Sequence, residues 1–183
     1  DTRKKETLTP PPAPLPELPT TQAARIDTVV DTDLYRAVLD NRGGTLKRFV
    51  LKRYHDNHKG GVELVPTIIP PEVGTFLSVS TPGNADLAKE INGLLFAVKK
   101  STVQGAQGRG IQVQFSYQRS DLQVVKTITF WTDQPYQATA ECAIQSQGKA
   151  PEKTYLRLGP GLTDHDLVPA QYVIPPQIVT FSG

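Results

Sequence analysis

The sequence predicts an all-β domain, mainly antiparallel, built as a two-sheet sandwich with little helix. Two observations carry this. Residues 111–146 hold three runs of period two. Ile111, Val113, Phe115 and Tyr117 form the first. Leu122, Val124, Ile128 and Phe130 form the second, interrupted only by Lys126, and Ala138, Ala140, Cys142 and Ile144 form the third. Alternation of this kind puts one face inside and the other out. Arg119-Ser120-Asp121 and Asp133-Gln134-Pro135 separate the runs, the latter because proline fixes φ and cannot donate to a ladder. The second observation is the remainder of the chain: short apolar runs between glycine and proline turns bring the count to roughly ten strands, a pattern of β-sandwiches.

Taken in order, residues 1–24 read as a proline-rich extended linker. They hold six of the sixteen prolines and almost no branched or aromatic side chains. Pro10-Pro11-Pro12, Pro14 and Pro16 favour a polyproline II spacer of about 3.1 Å per residue. Arg3, Lys4 and Lys5 then lie at its far end, as juxtamembrane basic residues or as ordinary solubilising charge. The sandwich spans residues 25–183. Ile26, Thr28 and Val30 alternate, and LYRAVLD follows with Leu34, Val38 and Leu39 apolar. Asn41-Arg42-Gly43-Gly44 is a turn with two residues free to take positive φ. TLKRFVLKRYHD has helical spacing, but its preceding glycines and its β-branched and aromatic centre favour a strand. Val62–Val65, Phe76–Val79 and Leu94–Lys99 are further strands. Ala85 to Ile91 is one or two helical turns, and VQGAQGRG from Val103 to Gly110 is a mobile hairpin loop. Tyr155, Leu156 and Leu158 form a strand that Gly159-Pro160-Gly161 bends. Two more apolar runs, Tyr172–Ile174 and Ile178–Phe181, flank Pro175-Pro176. The apolar ending suggests a domain truncated at its C-terminal side, and the absence of methionine suggests an excised piece.

Bulk properties narrow the function classes. The length of 183 residues accommodates one domain and a tail, large enough to fold without disulfides. The single cysteine, Cys142, reads as a small core residue. A net charge of +2 gives no footprint for nucleic acid. No run of about 18 apolar residues spans a bilayer.

Candidate chemistry is sparse. His55-Asp56-Asn57-His58 places two histidines three apart, but in a polar loop without a third ligand. Thr163-Asp164-His165-Asp166 offers an Asp-His pair with no partner nucleophile. Gly105, Gly108 and Gly110 lack the strand-to-helix context and the lysine of a phosphate-binding loop. Lys47, Arg48, Lys52 and Arg53 read as a solvated strand face, with acidic lipid headgroups as the alternative. Trp131 and Tyr136 flank a turn. Exposed together they would suit carbohydrate stacking, although core packing is commoner for tryptophan. No catalytic residue, cofactor or metal is assigned.

Several segments in order resemble one family. RIDTVVDTDLYRAVLDNRGGTLKRFVLKRYHD, VELVP, LQVVKTITFWTDQPYQATAECAIQSQG and YLRLGPGLTD resemble the large periplasmic domain of the bacterial membrane protein insertase YidC, over about residues 25–165. Gln147 stands where that family often has asparagine. The resemblance implies a twisted two-sheet β-supersandwich similar to galactose mutarotases. It further implies a place on the periplasmic side of the bacterial inner membrane, attached through membrane helices outside this chain. It implies a non-catalytic role ancillary to insertion and folding of inner-membrane proteins, with Sec translocon components or nascent membrane proteins as partners. The family's membrane-helix core has no counterpart here, so insertion itself does not transfer to these residues. The alternative is a carbohydrate-binding or mutarotase-like module using Trp131 and Tyr136.

Overall fold

A computed structural model describes residues 24–55, 60–66 and 74–159. The elements are β1 (Asp27–Asp31), β2 (Tyr35–Asp40), β3 (Thr45–His55), β4 (Gly61–Glu63), β5 (Val79–Ser80), α1 (Ala85–Gly93), β6 (Ala97–Gly105), β7 (Gly108–Arg119), β8 (Leu122–Trp131), β9 (Ala138–Ser146) and β10 (Tyr155–Leu156). They form two four-stranded antiparallel sheets, β1-β2-β3-β4 and β6-β7-β8-β9, with a two-stranded β5-β10 ribbon. Residues of both sheets and of α1 share one hydrophobic core, so the domain is an all-β sandwich. The tail to residue 23, His58, His165 and the apolar runs after Gly159 lie outside the described residues.

The meander has the expected register: Val113 opposes Ile128, and Val124 opposes Ile144. Burial on β8 departs from simple alternation, because Val125, Thr129 and Trp131 on its second face are also buried. Two features account for this. β8 lies inside its sheet between β7 and β9, and Gln112 of β7 donates to Thr129 Oγ1 at 3.3 Å.

The first sheet keeps the strand reading of TLKRFVLKRYHD. Gly43 and Gly44 both take left-handed backbone, φ 69° and 56°. In β2 the inward side chains are Tyr35, Ala37 and Leu39, so Leu34 and Val38 are only partly buried. The basic face of β3 is solvated and largely paired, Lys47 with Asp27 at 2.7 Å and Arg48 with Glu63 at 2.8 Å. Such exposed pairs contribute at most about 1 kcal/mol each. Asn41 is fully buried and does more than turn the chain. Its amide donates to the carbonyls of Ala24 and Phe96, and its Oδ1 accepts from the Ile26 amide. It thereby ties the start of β1 and the approach to β6 to one hairpin.

Two segments differ from the sequence reading. VQGAQGRG is not a loop: β6 and β7 stay paired through Gly105 and Gly108, leaving a two-residue turn. Trp131 explains two of the glycines, and Gly108 is set by its left-handed backbone at φ 98° beside Asp133. A Cβ on Gly105 would stand 2.7 Å from the Trp131 ring, and one on Gly110 would stand 3.0 Å from it. Phe76–Val79 is also not one strand: Leu77 takes φ 64°, Phe76 makes only an isolated bridge to Leu46, and Val79–Ser80 pairs separately with β10. α1 matches its expected place, capped by Asn84 accepting from the Leu87 amide and burying Leu87 and Ile91.

Candidate functional site

The inner face of β8 carries one charged side chain. Lys126 is fully buried, and its Nζ donates to the carbonyls of Gly43 at 2.6 Å, Leu77 at 2.7 Å and Gly44 at 3.1 Å. An ammonium has three donors, and all three are used. The side chain therefore runs from the second sheet to the β2–β3 turn of the first and to the left-handed Leu77. Burial lowers its pKa to about 8, opposed by the facing Cys142. Burial in turn raises the Cys142 thiol.

Beyond Lys126 the sheets separate. An apolar cleft of about 460 Å³ opens between β3 and the β8–β9 pair. Phe49, Leu51 and Tyr54 line one side, Ile128, Phe130, Ala138 and Ala140 the other, with Leu158 at the mouth. The gap has a simple origin. Ala138 and Ala140 stand opposite Phe130 and Ile128 and are too small to span the distance to β3. Aromatic rings line the entrance. Tyr35 stacks on Phe49 with centroids 4.8 Å apart, and Tyr136 lies 6.3 Å from Tyr35 and 6.0 Å from Tyr54. Tyr136 is 41% exposed and holds left-handed backbone at φ 58°. The turn enforces that conformation, since the Gln137 amide bonds the Gln134 carbonyl and the Trp131 amide bonds the Gln137 carbonyl. In size and lining the cleft is of the kind that binds apolar ligands.

The structure does not bring Trp131 and Tyr136 together. Trp131 is 8% exposed and packs over Gly105 and Gly110 on the outer face of its sheet, its indole N–H without an acceptor among the described residues. Tyr136 belongs to the cleft. His55 ends β3, while its expected partner His58 lies outside the described residues. Among the described residues no group of three His, Cys, Asp or Glu could hold a metal. Sequence reasoning missed Lys126 and the cleft itself. The lysine had a signal: it sits at an inward position of the strongest alternating run.

A family model described as the YidC periplasmic domain matches residues 27–159, from the start of β1 to Gly159. The chain belongs to the YidC periplasmic domain family. No curated protein and no solved structure matched. Membership makes this an insertase-associated domain of the periplasm. No helix among the described residues is long and apolar enough to cross a membrane. The matched span contains the Lys126 clamp and, among the described residues, the whole lining of the cleft.

Proposed function

We propose that the YidC periplasmic domain acts without catalysis, as a docking surface beside the inner membrane, and that its inter-sheet cleft receives an extended apolar segment of a nascent membrane protein. The observation that carries this is the combination of an apolar gap with a strand at its border. β9 ends its row of strands among the described residues, and its inward Ala138 and Ala140 border the gap. An extended peptide can add to such an edge while its alternate side chains enter the cleft. Tyr136 and Tyr54 would contact it at the entrance.

The test is fluorescence polarisation of a labelled eight-residue peptide alternating leucine and serine, titrated with the 183-residue chain. Saturable binding that Ala140→Trp abolishes supports the reading. No saturation up to about 1 mM, a binding free energy of only about −4 kcal/mol, overturns it. A photo-crosslinking residue at position 136 in the whole insertase identifies the partner. Adducts to nascent chains support the proposal, and adducts only to translocon components transfer the surface to that partner. The carbohydrate alternative draws on the same aromatic entrance. It requires oligosaccharide to displace the peptide, in a cleft whose lining side chains, among the described residues, offer hydroxyls only from Thr139, Tyr54 and Tyr136.

A further inference from the structure

A second cavity, of about 590 Å³, lies on another part of the surface, between α1, the β2–β3 turn and the β5–β10 ribbon. Three cations from three elements line it: Arg42 from the turn, Lys89 from α1 and Arg157 just after β10. Among the described residues its lining contains no carboxylate. No ion pair forms at Arg42, Lys89 or Arg157 among the described residues; Arg36, Arg53, Lys99, Lys100, Lys149 and Lys153 share that lack, but these three converge on one cavity. Gathering three like charges without a counter-charge is unfavourable unless an anion joins them.

The interior of the cavity points the same way. Ser78 is 5% exposed, lines the cavity, and its hydroxyl has no hydrogen-bond partner among the described residues. Buried hydroxyls are rarely left so. Neighbouring polar groups are already engaged. Asn92 bonds both the amide and the carbonyl of Val79, and the Thr81 hydroxyl donates to the Asn84 carbonyl. Gly74, at φ 76°, leaves a hollow in which a Cβ would stand 3.2 Å from Ser78 Oγ and 3.5 Å from Arg157 Nη1. The orphan hydroxyl and a guanidinium nitrogen thus border one small empty space.

We propose that this cavity binds a phosphate group, with Ser78 Oγ–H and Arg157 donating to its oxygens and Lys89 and Arg42 closing around the charge. A guanidinium donates to phosphate through parallel N–H bonds, and an ammonium adds a point charge. A free phosphate ion and a phospholipid headgroup present the same chemistry, and this domain stands beside a membrane in its proposed role.

The experiment titrates the 183-residue chain with inorganic phosphate at constant ionic strength, following amide NMR shifts at Gly74, Ser78 and Arg157. In parallel, flotation compares phosphatidylglycerol with phosphatidylcholine vesicles. Arg157→Gln and Ser78→Ala each weaken binding about tenfold, the worth of one charge-assisted hydrogen bond. Lys89→Gln, at an exposed helix position, weakens it without threatening the fold. Lys99→Gln, on the outer face of β6, changes nothing. Saturable binding of the free ion supports the site with phosphate itself as ligand. Binding confined to phosphatidylglycerol vesicles, and lost in Arg157→Gln and Lys89→Gln, supports it with a headgroup. Binding to neither overturns the proposal, as does binding that Lys99→Gln reduces as much as Lys89→Gln.

Discussion

Two successive stretches of the inner face of β8 meet the opposite sheet in opposite ways. At Lys126 the sheets are joined: an ammonium crosses the core and donates to three carbonyls, with Phe115 and Phe96 packed around the same interior. At Ile128 and Phe130, on the next inward positions, the sheets part into a cleft. The partner strand shows why. Cys142 and Ile144 face the joined stretch, while Ala138 and Ala140 face the open one. A sandwich of this kind is therefore closed by a long polar side chain whose donors are all satisfied, and opened by two missing side chains. Stability belongs to the first stretch, and the proposed binding to the second.

The sharpest way to break this division is Lys126→Met. It removes a buried charge, which is favourable by itself, but it leaves three buried carbonyls without their donor. Each unsatisfied group costs about 1–3 kcal/mol, so the net loss is expected to be about 3 kcal/mol or more. Urea unfolding with an unchanged m-value checks it. Loss below about 1 kcal/mol would mean that the lysine only fills space.

The pH dependence refines the same point. Lys126 is held near 8 when folded, against an ordinary value of 10.5. A base with a depressed folded pKa contributes stability above its unfolded value and loses it as pH falls through the folded one. Its contribution therefore rises from about pH 8 to 10.5, with a slope of at most about 1.4 kcal/mol per pH unit. Cys142 acts in the opposite sense. Its thiol is raised above 9, so its contribution is present at lower pH and lost above that point. Subtracting the Lys126→Met curve from the parent curve gives the lysine together with its coupling to Cys142. On the acid side the carboxyls of Asp31, Asp121, Asp133 and Asp40 are all lowered, and of these only Asp40 is buried; burial raises its carboxyl, but hydrogen bonds from Arg25 and the Arg42 amide outweigh it. Its pKa is lowered, so its contribution is complete above about pH 4 and is lost as pH falls further. Arg25→Gln should flatten that acid limb.

Gly43→Ala attacks the acceptor side of the clamp. The added Cβ would sit at φ 69° and 2.8 Å from the Asn92 carbonyl, so a loss of about 1–3 kcal/mol is expected. Gly83, also at positive φ but with open space around it, is the matched control and should lose less.

Legibility in the sequence followed the same division. The meander was plain because three period-two runs and two strong turns leave one arrangement open to residues 111–146. The glycine pair at 43–44 was readable as a turn for its left-handed backbone. Lys126 was harder. Alternation placed it inside, yet a lysine at one inward position reads as an interruption until its three acceptors, 49 to 83 residues away in sequence, are known. The glycines of VQGAQGRG read as a loop because the cause of Gly105 and Gly110 is Trp131, at the end of β8, whose ring takes the space of their side chains. The cleft was illegible for a related reason. An alanine pattern in a strand marks a face but not the width of the gap opposite it, which depends on the placement of the other sheet. Tyr136 was visible as a candidate, and its partners Tyr35 and Tyr54 were not, since they come from a different sheet.

The smallest expected change in stability is at the open stretch, and it is the most informative about function. Ala140→Leu adds apolar carbon to a cleft with room for it, next to Phe49 and Ile128 rather than into a packed interior. Overpacking a full core costs about 1–3 kcal/mol, whereas filling a void recovers contact. Ala140→Leu should therefore leave the unfolding midpoint nearly unchanged or raise it slightly, while weakening binding of the apolar peptide. If stability falls by more than about 1 kcal/mol, the gap is part of the packed core and its apparent openness is not a site. If stability holds and peptide affinity also holds, the peptide binds elsewhere. Only preserved stability with lost affinity assigns the division of labour along β8 that the two alanines and the lysine imply.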